Sequence, residues 1–104
     1  MAQLDKITAG MYRINTVIEG GFSFNQYLIK DEKNTLVHTG SVPQFSGVVE
    51  KLSSVTNLSD LIYIFVSHFE SDECGALGEF LKLNPGITVL SSAVTARQFT
   101  GFGI

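Results

Sequence analysis

At 104 residues, 44% of them hydrophobic and only 16% charged, the chain is long enough for one buried core, too short for two, and too apolar to remain unfolded. A formal net charge of -3 with seven scattered Lys and Arg excludes the basic stripe of a nucleic-acid binder, and one cysteine excludes an internal disulfide and suits a reducing compartment. The opening MAQLDKITAG has no apolar signal-peptide core, and no apolar run reaches the roughly 18 residues needed to span a bilayer, so the expectation is a cytoplasmic protein without membrane attachment.

Residues 11–19, MYRINTVIE, alternate apolar and polar side chains as a half-buried strand does. Gly20 and Gly21 supply a turn, and residues 22–30, FSFNQYLIK, form a second strand. The polar cluster of Asp31, Glu32, Lys33 and Asn34 makes the next turn, and residues 35–38 return as a third strand, completing an antiparallel meander. From 43 to 55 the period becomes helical, with Phe45, Val48, Val49 and Leu52 on one face and Ser41 or Pro43 at the start.

Residues 61–66, LIYIFV, are a continuous apolar run of the kind expected for a strand covered on both faces. Helical spacing returns from Gly75 to Leu83, and Asn84-Pro85-Gly86 stops it. Residues 87–90, ITVL, read as another buried strand, and the tail from Ala93 is helical up to Thr100. Helices alternating with apolar strands after an antiparallel entry define a layered α/β sheet, expected to occupy residues 1–104 as one domain at most.

Between LIYIFV and the next helix the chain reads SHFESDEC, crowding His68, Glu70, Asp72, Glu73 and Cys74 into seven residues. Carboxylates this close repel one another unless a cation sits among them. In a sheet of this kind, ligands bind beyond the carboxyl ends of the strands, where this loop falls. His68, Glu70 and Asp72 alternate, so an extended backbone would send all three to one side, with Glu73 immediately behind. One imidazole with several carboxylates suits iron, manganese or zinc rather than copper.

Each residue also has a purely structural reading. His68 alone could be a hydrogen-bonded residue after a strand, and Asp72 could cap the following helix with Glu73 at its positive end. Cys74 reads as a small buried packing residue, with a metal thiolate as the alternative. The combination of residues in this place is what favours a metal.

The pattern resembles the metallo-β-lactamase superfamily, in its flavodiiron and oxygen-binding diiron branch. FNQYLIKDEKNTLVHTG (24–40) is similar to the early strand pair ending in an L-[IV]-D-T-G turn. IYIFVSHFESDECGAL (62–77) is similar to the H-x-E-x-D-H signature with its leading strand, and GITVLSSAVTARQF (86–99) to the strand and short helix that follow. The resemblance implies half of an αββα sandwich, with His68 and Glu70 binding one metal and Asp72 the second. Glu70, where the zinc hydrolases of the superfamily carry histidine, implies a non-haem diiron centre and redox chemistry on oxygen or nitric oxide.

Three departures bear on that implication. Glu73 stands where the signature has its second histidine, leaving a carboxylate or no ligand there. His38 replaces the aspartate of the L-[IV]-D-T-G turn, and reads as a surface or packing histidine rather than a ligand. No histidine follows His68, whereas the resemblance implies further ligands from a second half. The expectation is therefore the first half of such a protein, truncated or split and incomplete on its own, with a homodimer or partner chain completing the sheet. The alternatives are a zinc-dependent hydrolase of the same superfamily and a non-catalytic dimerisation or partner-binding half-domain.

Overall fold

In the computed structural model, residues 2–18 and 21–101 are described, and for Ser71 and Asp72 the backbone alone. The expected meander is present as β2 (Met11–Val17), β3 (Ser23–Ile29) and β4 (Asn34–Val37). A further strand, β1 (Ala2–Thr8), precedes it and pairs antiparallel with β2. Then come α1 (Phe45–Ser53), β5 (Leu61–Val66), α2 (Ser71–Cys74), α3 (Leu77–Leu83), β6 (Thr88–Ser91) and α4 (Ala93–Gly101). The six strands form one sheet in the order of the chain, antiparallel from β1 to β4 and parallel from β4 through β5 to β6.

Pairing places Ile14 opposite Gln26 and Tyr12 opposite Leu28, so alternate positions of β2 and β3 share one face. On it, Ile14, Leu28, Leu36, Ile64 and Val66 are fully buried against Val48 and Leu52 of α1 and Leu77 and Phe80 of α3. The rings of Phe45 and Phe80 meet edge to face at 5.0 Å, joining the two helices. The tight turn before β2 depends on Gly10, whose φ is 78° and where a Cβ would lie 2.8 Å from the Lys30 carbonyl oxygen.

The described residues leave the opposite face of the sheet uncovered, which corrects two expectations. LIYIFV is covered on one face only, since Phe65 stays 39% exposed while Ile64 and Val66 are fully buried. ITVL is likewise half-exposed: β6 buries none of its residues fully, and Leu90 is 40% exposed. Val17 and Ile29 add to this apolar face from β2 and β3. A run of branched and aromatic residues marks a strand able to be covered twice, and the described residues cover it on one face.

The helix expected from Gly75 to Leu83 is α3, which begins two residues later at Leu77, and an unexpected short helix, α2, precedes it across a turn at Gly75 and Ala76. β4 stops at Val37, so His38 lies beyond the strand rather than in it. Among the described residues no helix is long and apolar enough to cross a membrane.

Candidate metal centre

Because β4 and β5 run parallel, their carboxyl ends lie side by side. Val37 is in register with Phe65, and the His38 N–H continues the ladder to the Phe65 carbonyl at 2.8 Å. The first residues past the two strands are thereby brought together, although 29 positions separate His38 from Ser67. Ser67 Oγ lies 2.7 Å from His38 Nε2 and 3.0 Å from Nδ1 of the adjacent His68. His38 adopts φ 67°, the one left-handed backbone among the described non-glycine residues, and histidine is among the types that tolerate it.

The next two residues fasten the loop from below. Thr39, fully buried, donates its N–H to the Glu73 carbonyl at 2.8 Å, and its hydroxyl accepts from the Ala76 N–H at 3.2 Å. The Gly40 carbonyl accepts a second bond from the Ala76 N–H at 2.9 Å. Gly40 has φ 79°, and a Cβ there would come within 3.0 Å of Gln44 Oε1 and 3.3 Å of Gln26 Nε2. The turn after β4 thus clamps α2.

The candidate ligands sit on this frame unequally. His68 and Glu70 are exposed, and Phe69 between them packs its ring on Phe99 of α4 at 5.4 Å. That contact anchors the loop while leaving its two neighbours outside the core. The extended backbone expected for residues 68–72 is not found: residues 67–70 bend, and α2 begins at Ser71. The Glu70 carbonyl accepts the N–H groups of both Glu73 and Cys74, which turns the chain into helix.

Asp72 is consequently inside the first turn of α2 rather than its cap, and its side chain lies outside the described residues. Glu73 is half-buried, and Cys74 is a buried packing residue as expected, with its thiol 3.3 Å from the Glu70 carbonyl oxygen. Among the described residues no three His, Cys, Asp or Glu side chains are gathered closely enough to hold a metal ion.

In kind, an exposed imidazole and an exposed carboxylate two positions apart suit iron, which accepts nitrogen and oxygen donors together. In number they fall short of a coordination sphere. A cleft of about 380 Å³, lined by Lys30, Asn34 and Asp60 among others, lies near the start of β4 and offers no such donor set. Sequence reasoning missed Thr39, Ser67 and Phe69; of these only Phe69, an aromatic between two charged candidates, carries a local signal.

A mixed six-stranded sheet with helices packed on one face is the metallo-β-lactamase-type arrangement of flavodiiron cores. The rubredoxin oxygen:oxidoreductase of Desulfovibrio gigas superposes with a TM-score of 0.88 over 98% of this chain, at 23% identity, and shows the fold. A mutant of the flavo di-iron protein from Thermotoga maritima gives a TM-score of 0.86 at 26% identity, over 100% of this chain and 31% of that one. The ODP family beta lactamase model matches residues 22–104, and the chain belongs to that family.

Among curated relatives, the anaerobic nitric oxide reductase flavorubredoxin of Citrobacter koseri is 36% identical over 81 residues, which are 78% of this chain and 17% of that protein. The flavo-diiron protein FprA2 of Clostridium acetobutylicum is 36% identical over 74 residues, 71% of this chain and 18% of its own. The chain therefore spans under a fifth of the length of these curated relatives.

Proposed function

We propose that this chain is a ligand-bearing portion of a cytoplasmic diiron protein that reacts with oxygen or nitric oxide, and that it forms one partial domain. His68 and Glu70 hold one iron, Asp72 contributes to the second, and Glu73 takes the place of a histidine. Iron, when bound, would pass electrons from a reductant outside this chain to the small diatomic ligand. The residues of this chain hold the ligand-bearing loop in place: Phe69 against Phe99 fixes the loop, and the clamp from Thr39 fixes the helix behind it. The remaining ligands come from outside the described residues.

The observation that carries this reading is the exposed pair His68 and Glu70 at the carboxyl edge of two parallel strands, in a chain whose relatives include a nitric oxide reductase flavorubredoxin. The open apolar face accords with it. A sheet showing Val17, Ile29, Phe65 and Leu90 at 37–54% exposure needs a second layer, and that layer, from further chain or from a partner polypeptide, brings the missing ligands.

Anaerobic titration with ferrous iron, read with oligomeric state and beside a His68→Ala, Glu70→Ala double variant, tests the proposal. Binding that the double variant abolishes is expected. Equal uptake by both chains would remove the loop from the site, and zinc-dependent ester hydrolysis above background would favour the hydrolase alternative.

A further inference from the structure

One hydroxyl lies between two imidazoles at the carboxyl edge, with Ser67 Oγ 2.7 Å from His38 Nε2 and 3.0 Å from His68 Nδ1. A serine hydroxyl has a single proton, so it donates to one ring and must accept from the other. Two arrangements satisfy both contacts when the rings are neutral. In the first, His68 Nδ1–H donates to Ser67, and Ser67 donates to His38 Nε2, leaving a lone pair on His68 Nε2. In the second, every donor is reversed, and the proton on His68 Nε2 blocks ligation there.

Since His68 Nδ1 faces the serine, Nε2 is the nitrogen left to meet a metal. Resting on the reading of His68 as an iron ligand, we infer that His38 is a positioning residue: acting through Ser67, it holds His68 in the Nδ1–H tautomer with the Nε2 lone pair directed outward. The backbone fixes the contact between His38 and Ser67. His38 keeps a left-handed conformation that is uncommon for a residue with a side chain, and its N–H is tied to the Phe65 carbonyl at 2.8 Å, two residues before the serine. Its ring is thus presented to Ser67 by the end of β4 itself.

His68 is exposed, and an imidazole left to water favours the opposite, Nε2–H, tautomer. The relay reverses that preference before any metal arrives, which is the part played by hydrogen-bond partners behind metal-bound histidines in general.

The test uses the full chain, metal-free and labelled with ¹⁵N-histidine, at alkaline pH where imidazoles are neutral. Two-bond ¹H–¹⁵N correlation spectra report which nitrogen of His68 carries the proton. The expected result is Nδ1–H in the unsubstituted protein, a shift toward Nε2–H in His38→Gly and Ser67→Ala, and retention of Nδ1–H in Ser67→Thr. In the same variants the ferrous-iron Kd is expected to rise about tenfold for His38→Gly.

An Nε2–H tautomer in the unsubstituted chain overturns the inference without any variant having to fold, as does a pattern unchanged in His38→Gly. The expected tautomer without iron uptake would keep the relay and overturn the ligand role of His68, so the two failures are told apart.

Discussion

Thr39 and Glu73, 34 residues apart, are joined at one carbonyl: the Thr39 N–H donates to Glu73 O at 2.8 Å, and the Thr39 hydroxyl lies 3.2 Å from the same oxygen. The turn after β4 is in this way bonded to the short helix that carries two of the candidate carboxylates. Burial of Thr39 keeps water from substituting for either contact.

Replacing Thr39 by valine preserves its shape and removes the hydroxyl, leaving the Ala76 N–H with one acceptor in place of two. We expect a loss of about 1–3 kcal/mol, read from the urea midpoint at constant slope. Thr39→Ser should recover most of it. An unchanged midpoint in Thr39→Val would show that the clamp carries no weight.

His38 offers a separate test of backbone strain. At φ 67°, alanine bears the clash between Cβ and carbonyl that glycine avoids, while both lack the ring. His38→Ala is therefore expected to unfold more easily than His38→Gly by about 1 kcal/mol. Equal stabilities would mean that the residue leaves the left-handed region once its ring is gone.

Gln26 is fully buried, and neither its amide oxygen nor its amide nitrogen has a hydrogen-bond partner among the described residues. Methionine is of similar volume and carries no amide. Gln26→Met should be neutral or raise stability by up to about 2 kcal/mol, as measured by thermal or urea unfolding. A large loss would reveal a partner for the amide, such as a buried water.

How far these features could be read beforehand depended on whether they were local. The change from a period of two in residues 11–19 to a helical period after 43 was enough to place the meander and the crossover helices. β1 was not legible: in AQLDKIT the two large apolar residues, Leu4 and Ile7, are three positions apart, the spacing of a helix face rather than of a strand. The strand forms because β2 offers an edge, and Asp5 finds Arg13 directly across it at 2.9 Å.

The site shows the same division. His68 and Glu70 stood out because charge is conspicuous after an apolar run, but their alternation with Asp72 suggested an extended chain where the Glu70 carbonyl instead begins a helix. A lone serine after a strand attracts no notice. Ser67 acquires meaning once parallel pairing brings His38 beside it, which no spacing within either segment announces.

The open sheet face leads to a further prediction. Phe65→Lys together with Leu90→Lys replaces two side chains about 40% exposed, so folded stability should change by less than about 1 kcal/mol. Self-association at micromolar concentration, followed by sedimentation velocity, should fall in the double variant. The same association in both chains would place the contact surface elsewhere.

The parallel pairing of β4 with β5 also sets an order of events in the life of the molecule. β2 and β3 are neighbours in the chain, whereas His38 and Ser67, 29 positions apart, meet only after the crossover from β4 to β5 has closed. Loop closure of that length is costly and slow relative to a hairpin, so the carboxyl edge is the later-formed and earlier-lost part of the sheet. In hydrogen exchange, the His38 and Thr39 amides should open before those in the middle of β2, so the protein can lose its ligand-bearing edge while most of its strands are still paired.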